Sequence, residues 1–327
     1  MKAIIVQTQE KARPLRWETV DDPSITDDEV LVDVCATALN RADLMQRAGN
    51  YPPPPGASDI LGLEMAGRIA ALGKNVTGWQ IGDRVCALLT GGGYAEKVAV
   101  PHEMLIPIPD TWSFQEAAAV PEVFLTAFVN LFMEANFQPG ETVLVHGGAS
   151  GVGTAAIQLI HHAGGTVYVT AGTTEKCEYC RQLGADLATN YREQDFVAAI
   201  HEHANGGVVD IILDMVGADY FSKNMKLLKN RGRLVHIATL SGAKTEVNLA
   251  ALMIRRLRLI GSVLRGRSLQ EKVDIKDAFL KQFWPAFEAG KIKPIIDSTF
   301  PIEEANIAQQ RMAENKNIGK IILTIQN

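Results

Sequence analysis

The segment GETVLVHGGASGVGTAAIQLIHHAGG, residues 140–165, constrains the fold more than any other. TVLVH is a short β-branched run, and a helix rich in small residues follows it. Between the two, Gly148, Ser150, Gly151 and Gly153 crowd a tight turn. Gly148 permits that turn, and Gly153 lets the helix approach the strand closely. The unbonded N–H groups at such a helix start can hold a pyrophosphate. The spacing is GxSxxG, in which the middle serine can donate its hydroxyl to a phosphate oxygen.

The rhythm that follows fits a doubly wound α/β fold. TVYVTAG reads as the next buried strand, TEKCEYCRQLG as a helix, DLATNY as a short strand and DFVAAIHEHAN as a helix. VVDIILDMVG and GRLVHIATL are further apolar strands with a helix over 219–229 between them. FLKQFWPAFEAG adds an amphipathic helix. Helices alternating with buried strands predict a mostly parallel sheet over residues 122–292. Residues 1–121 read differently. KAIIVQ, EVLVDVCATAL, GRIAALG, GDRVCALL and YAEKVAV are short strands cut by turn residues, which predicts a small barrel or sandwich. The tail, about 293–327, carries a strand–helix–strand piece that returns to this first domain.

The end of the second strand of the series bears on the cofactor. An NAD site places Asp or Glu there to bond the ribose 2′-hydroxyl. This chain has Ala171-Gly172-Thr173-Thr174, with Glu175 and Lys176 only afterwards. A corner without an acid, supplied with Lys176 and Thr173, favours NADPH, because a carboxylate would repel the 2′-phosphate. The charge balance, 32 Lys+Arg against 37 Asp+Glu, gives −5 and no global attraction to nucleic acid or anionic lipid. Four cysteines in 327 residues make no disulfide framework, and with no apolar run of spanning length the expectation is a cytoplasmic protein. Cys177 and Cys180, inside a helix, read as helix-surface residues rather than metal ligands. His161, His162, His201 and His203 read as ordinary helix and surface residues.

Taken together, ALNRADLMQRAGNYPPPPGASDILGLEMAG, GGGYAEKVAVP, AAAVPEVFLTAF, VLVHGGASGVGTAAIQL and AENKNIGKIIL resemble the zinc-free quinone oxidoreductases of the medium-chain dehydrogenase/reductase superfamily. The likeness covers essentially the whole chain and is greatest to the branch of the DNA-damage-inducible vertebrate enzyme. It implies a Rossmann domain with a doubly wound parallel sheet plus a GroES-like β-barrel catalytic domain. Zinc enzymes of the superfamily hold their catalytic metal at the positions of Asn40 and Leu63, so the resemblance implies no metal here. It places Asn40 and Thr126 near the nicotinamide and Tyr51 in the substrate cleft. Ser150, Gly151 and Val152 match pyrophosphate contacts, and Lys176 with Tyr191 match the 2′-phosphate pair. Ser262, Val263 and Leu264 match a strand segment whose backbone meets the nicotinamide amide. Asn315 stands where some homologues carry an arginine, and Asn317 and Lys320 bear on the same end of the cleft. Relatives of this kind pair as homodimers, which puts Leu257–Leu264 at an interface.

Each residue also has a plainer role: Asn40 as a helix cap, Tyr51 packed on the prolines, Thr126 bonded to a preceding carbonyl. The chemistry of the resemblance favours an acceptor that tolerates negative charge. Two-electron reduction of a quinone leaves a phenolate-like oxygen, of reference pKa about 10. On this reading Asn40 donates to that oxygen. The alternatives are NADPH-dependent reduction of an enone, and an RNA-binding or structural role, the former through Arg255, Arg256, Arg258, Arg265 and Arg267, which the net charge of −5 and the apolar residues interleaved with them oppose.

Overall fold

A computed structural model describes residues 1–204 and 208–326, and the chain divides into two compact units. The first comprises Met1–Val123, Arg265–Lys281 and Lys293–Asn327, the second Phe124–Leu264 and Gln282–Ile292. The expected second domain, 122–292, thus loses 265–281. Arg265 shows why: its guanidinium bonds Thr90 O and Gln46 Oε1, both in the first unit.

In the first unit β1 (Lys2–Val6) and β2 (Leu15–Thr19) form an antiparallel hairpin. There follow β3 (Glu29–Ala38), α1 (Arg41–Arg47), β4 (Glu64–Leu72), β5 (Arg84–Leu88), β6 (Lys97–Pro101), β7 (Ile106–Pro107) and α2 (Phe114–Ala118), and then α3 (Pro121–Phe128), which belongs to the second unit from Phe124 onward. Strict alternation on β3 buries Val30, Val32, Val34 and Ala36 on one face. Helix α2 begins with a capping box in which Ser113 and Glu116 exchange backbone bonds. Phe114–Glu134 is long and apolar enough to cross a membrane by length and composition, contrary to the sequence reading. In this structure 78% of its most apolar window is buried in the protein, as a core helix would be. Beyond Phe128 the helix widens, and Ala135 N bonds Asn130 O five residues back.

The second unit contains β8 (Thr142–His146), α4 (Gly151–His162), β9 (Thr166–Ala171), α5 (Thr174–Gln182), β10 (Leu187–Asn190), α6 (Phe196–His203), β11 (Val209–Asp214), α7 (Ala218–Leu227), β12 (Leu228–His236), α8 (Leu249–Ile254) and β13 (Arg258–Gly261). The strands are parallel in the order β10-β9-β8-β11-β12-β13. The order reverses between β8 and β11, and in sheets of this kind ligands bind beyond the strand ends at that point. Three boundaries differ from expectation. β12 begins four residues early, through a bulge at Arg231 (φ 65°) and Gly232, and it stops at His236. Residues 252–254, the start of the stretch LMIRRLRLIGSVL whose apolar pattern suggests strand, belong to helix α8. Asn205, the last residue expected in the α6 helix, lies outside the described residues.

Helix α9 (Leu269–Glu288) is ten residues longer at its start than FLKQFWPAFEAG suggested, and Ser268 and Glu271 cap it reciprocally. The tail supplies β14 (Ile296–Pro301), α10 (Ala305–Ala313) and β15 (Lys320–Thr324). β15 pairs antiparallel with β3, so the first unit's sheet runs β14-β15-β3-β4-β5-β7, with β6 also on β3. The tail completes the first unit's sheet, as its sequence suggested.

Candidate active site

In the first unit the end of β3, the start of β4 and the start of β15 bring Asn40, Glu64 and Lys320 together in the interior. Glu64 is fully buried and Lys320 almost so. The Lys320 ammonium spends its three donors on Glu64 Oε1 at 2.7 Å, Asn40 Oδ1 at 2.7 Å and Leu39 O at 2.6 Å. Glu64 Oε1 also accepts from Asn40 Nδ2 at 2.9 Å, and Oε2 accepts from Glu122 N at 2.8 Å in the first turn of α3. Because lysine only donates and a carboxylate only accepts, these neighbours fix which end of the Asn40 amide is which.

The expected donor role of Asn40 is not what this geometry provides. Its second amide hydrogen points to Ala38 O at 3.3 Å, so both are directed at protein acceptors. Asn40 is also the N-cap residue of α1, in a capping box with Asp43. That helix start is held by Asp43 Oδ2, which accepts from Asn40 N at 2.7 Å. Asp43 is buried, takes a bond from Tyr94 Oη at 3.0 Å and another from Gly62 N at 3.2 Å. Burial pushes its carboxyl up to about 6, although Asn40 N, Lys320, Tyr94 and Gly62 all pull the other way. Lys320, expected with Asn315 and Asn317, instead belongs to this cluster. Asn315 accepts from Arg41, and Asn317 bonds Gly319 O.

Tyr51, half-buried, lies under the Arg265 guanidinium, whose carbon is 5.3 Å from the ring centroid. Arg265 is one of the arginines on which the alternative binding role depends. It is buried in the first unit, whereas Arg255 donates to Met225 O in the second, so the arginines form no continuous patch.

In the second unit the phosphate turn is built as the glycines require. A Cβ on Gly148 would lie 2.6 Å from Val169, and one on Gly153 would lie 2.3 Å from Gly147 O. Ser150 caps α4, its Oγ accepting from Gly153 N at 3.0 Å, which leaves the hydroxyl hydrogen to donate. Gly151 and Val152 stand in the first turn of α4, where helix N–H groups lack an intrahelical carbonyl. One strand over, Thr173 caps α5 by accepting from Lys176 N. Tyr191 follows β10 with its hydroxyl against Gly172, where a Cβ would meet it at 2.9 Å. The corner thus gathers Gly172, Thr173, Lys176 and Tyr191.

Thr126 is buried on α3, and its carbonyl accepts from Asn130 Nδ2 at 2.8 Å. Ser262 and Leu264 are buried, Val263 is exposed, and Ser262 N continues the sheet to His236 O. Beneath the turn lies a network that the sequence did not reveal. His146 contacts Thr170 Oγ1 and Asn224 Oδ1, and Asn224 Nδ2 donates to Asp214 Oδ2. Burial raises the Asp214 carboxyl, but bonds from His236 and Val216 N together with the nearby histidines bring it below its ordinary value. Cys177 and Cys180, expected at the surface, are buried beneath α5, and burial pushes the Cys180 thiol up to about 12.

Two family models match, an alcohol dehydrogenase GroES-like domain over residues 26–110 and a zinc-binding dehydrogenase over 151–278. Bovine quinone oxidoreductase-like protein 2 is 31% identical over 318 residues, 97% of this chain and 91% of that protein. The chain belongs to the quinone-oxidoreductase-like members of the medium-chain dehydrogenase/reductase superfamily. It is also 34% identical over 321 residues to the zebrafish synaptic vesicle membrane protein VAT-1 homolog, covering 93% of this chain but only 66% of that protein's length. Escherichia coli quinone oxidoreductase, solved with NADPH, superimposes with a TM-score of 0.89 at 27% identity, over 99% of this chain and all of that one. The fold is that of an NAD(P)(H)-binding oxidoreductase.

The dehydrogenase model's zinc can be tested against the residues present. Leu63 offers only hydrocarbon, and an ammonium already occupies both the Glu64 carboxylate and the Asn40 amide oxygen. That donor set does not fit zinc. Among the described residues, no three His, Cys, Asp or Glu side chains gather where they could hold a metal. The phosphate turn, in contrast, fits a dinucleotide: at Gly148 and Gly153 the backbone leaves no room for a side chain.

Proposed function

We propose that the protein is an NADPH-dependent quinone reductase. The observation that carries this reading is the closed Asn40–Glu64–Lys320 cluster, a neutralised ion pair that includes Asn40 and adjoins Leu63, the two positions that the resemblance assigns to zinc ligands in related enzymes. Reducing a saturated carbonyl creates a strongly basic alkoxide, which calls for a Lewis acid or a strong proton donor. A quinone yields a phenolate-like oxygen of reference pKa about 10, for which ordinary hydrogen-bond donors suffice. The bound nicotinamide supplies the hydride; the chain binds and orients the reactants.

Ser150 Oγ–H and the N–H groups of Gly151 and Val152 hold the pyrophosphate. Thr173, Lys176 and Tyr191 take the 2′-phosphate, a role the acid-free corner supports. Thr126, Ser262, Val263 and Leu264 are assigned to the nicotinamide end and Tyr51 to the acceptor, while Asn40 contributes by fixing the loop around it. Asn315 and Asn317 border the cofactor less directly. The finer kinship, with the DNA-damage-inducible vertebrate enzyme, is read from the segments 38–67, 91–101, 117–128, 143–159 and 313–323. The active form is a homodimer joined along β13, which is the edge strand of its sheet.

A panel of matched quinones, enones and saturated aldehydes assayed with NADPH tests the substrate class. Quinones should be turned over fastest and saturated aldehydes least. Turnover confined to enones, or efficient aldehyde reduction, would overturn the proposal.

A further inference from the structure

Arg265 is held as few surface-derived arginines are. It is only 6% exposed, its Nε donates to Thr90 O at 2.8 Å and its Nη2 to Gln46 Oε1 at 2.8 Å. Gln46 is itself tied to Asp59 O through Nε2. The remaining nitrogen, Nη1, is buried and has no hydrogen-bond partner. Its field includes Asp43 and Glu122, yet neither carboxylate bonds it. A buried charged donor left unmade is costly, and two anchored bonds prevent the planar group from turning to satisfy it. The same guanidinium lies over the ring of Tyr51.

We infer that Arg265 is an acceptor-binding residue, whose Nη1 donates to an oxygen of a planar acceptor lying beside Tyr51 and stabilises the negative charge that this oxygen gains on reduction. The inference rests on the quinone-reductase reading and deepens it by naming the donor, a task that Asn40, with both amide hydrogens spent, does not perform. The ligand is therefore a flat conjugated carbonyl compound, bound more tightly as its oxygen becomes more anionic. A guanidinium at this place discriminates by charge: Nη1 rewards an anionic oxygen over a neutral one.

The test compares Arg265→Met and Arg265→Lys with the unaltered protein. Equilibrium binding of 2-hydroxy-1,4-naphthoquinone, an anionic probe, is measured beside neutral 1,4-naphthoquinone, without turnover. Arg265→Met should weaken the anion by roughly ten- to 100-fold and the neutral quinone much less. Arg265→Lys, which keeps the charge but not the fork, should recover part of that loss. NADPH affinity should stay within about two-fold in both, a readout that general collapse of the unit would also move. In parallel kcat/KM is taken on whichever acceptor class the unaltered protein reduces. If that class proves to be enones, the quinone reading fails, while a selective loss in Arg265→Met still supports the donor role. Equal weakening of anion and neutral quinone, or no weakening of either, would overturn the inference.

Discussion

Asp43 shows how one residue couples burial to pH. Its carboxyl has no exposed surface and is pushed from near 4 up to about 6, mainly by burial. Between those values the folded chain holds a proton that the unfolded chain has released. The contribution is therefore fully present below about 4 and is lost as pH rises through about 6. Asp214 and Asp297 act in the opposite sense, because their carboxyls are depressed and their contributions fade as pH falls. Replacing Asp43 with Asn isolates the first effect. The stability difference, unaltered protein minus Asp43→Asn, should fall by up to about 3 kcal/mol between pH 4 and 6.5 and then level off. Denaturant unfolding at a series of pH values checks this, and a difference independent of pH contradicts it. Lys320 and Glu64, the residues that close the cluster around Asn40, lie at opposite ends of the chain. Neither has a local spacing signal, and the pairing of β4 and β15 with β3 is what brings both to Asn40.

At the scale of elements, the corner formed by the end of β9, the start of α5 and the end of β10 is where the proposed preference for NADPH can be tested. Lys176 stands one turn into α5, and Tyr191 lies against Gly172. Charge-assisted phosphate contacts contribute about 1.5–3 kcal/mol, and NADH has no 2′-phosphate to make one. Lys176→Ala should therefore raise the Kd for NADPH roughly ten-fold or more while that for NADH stays within about two-fold. Calorimetric titration with the two cofactors reads the difference, and equal losses would assign Lys176 to the helix alone. This part of the molecule was largely legible beforehand, since buried parallel strands and glycine-bounded helices carry strong local patterns. What stayed hidden had weak patterns. The first half of α9, LQEKVDIKD, is so heavily charged that its apolar period shows only once Val273, Ile275 and Phe279 are seen buried. β12 begins in a bulge, where alternation breaks down. Arg265 carried no local signal of its place, since it stands between Leu264 and Gly266 with no periodic pattern around it. Its burial comes from Thr90 and Gln46, both distant in sequence.

For the whole molecule, the open edge of the second unit's sheet is the feature that calls for a partner. Among the described residues β13 pairs only with β12, Leu259 on it is exposed, and Met253 and Ile254 just before it are more than 70% exposed. An uncovered apolar edge of this kind is a pairing site. The chain should therefore have twice its 35.5 kDa mass by light scattering, and Leu259→Lys should shift it towards the monomer. A monomeric mass for the unaltered protein at micromolar concentration would contradict the homodimer.

The central claim is that NADPH reduces a quinone here with no help from a metal, the Asn40–Glu64–Lys320 cluster including one and adjoining the other of the two positions that the resemblance assigns to zinc ligands. The most direct test is the anaerobic rate of NADPH oxidation by a simple benzoquinone, with hydroquinone quantified, before and after exhaustive dialysis against a strong chelator. The expected result is an unchanged rate with one hydroquinone formed per NADPH consumed. A rate abolished by the chelator and restored by added zinc would contradict the account.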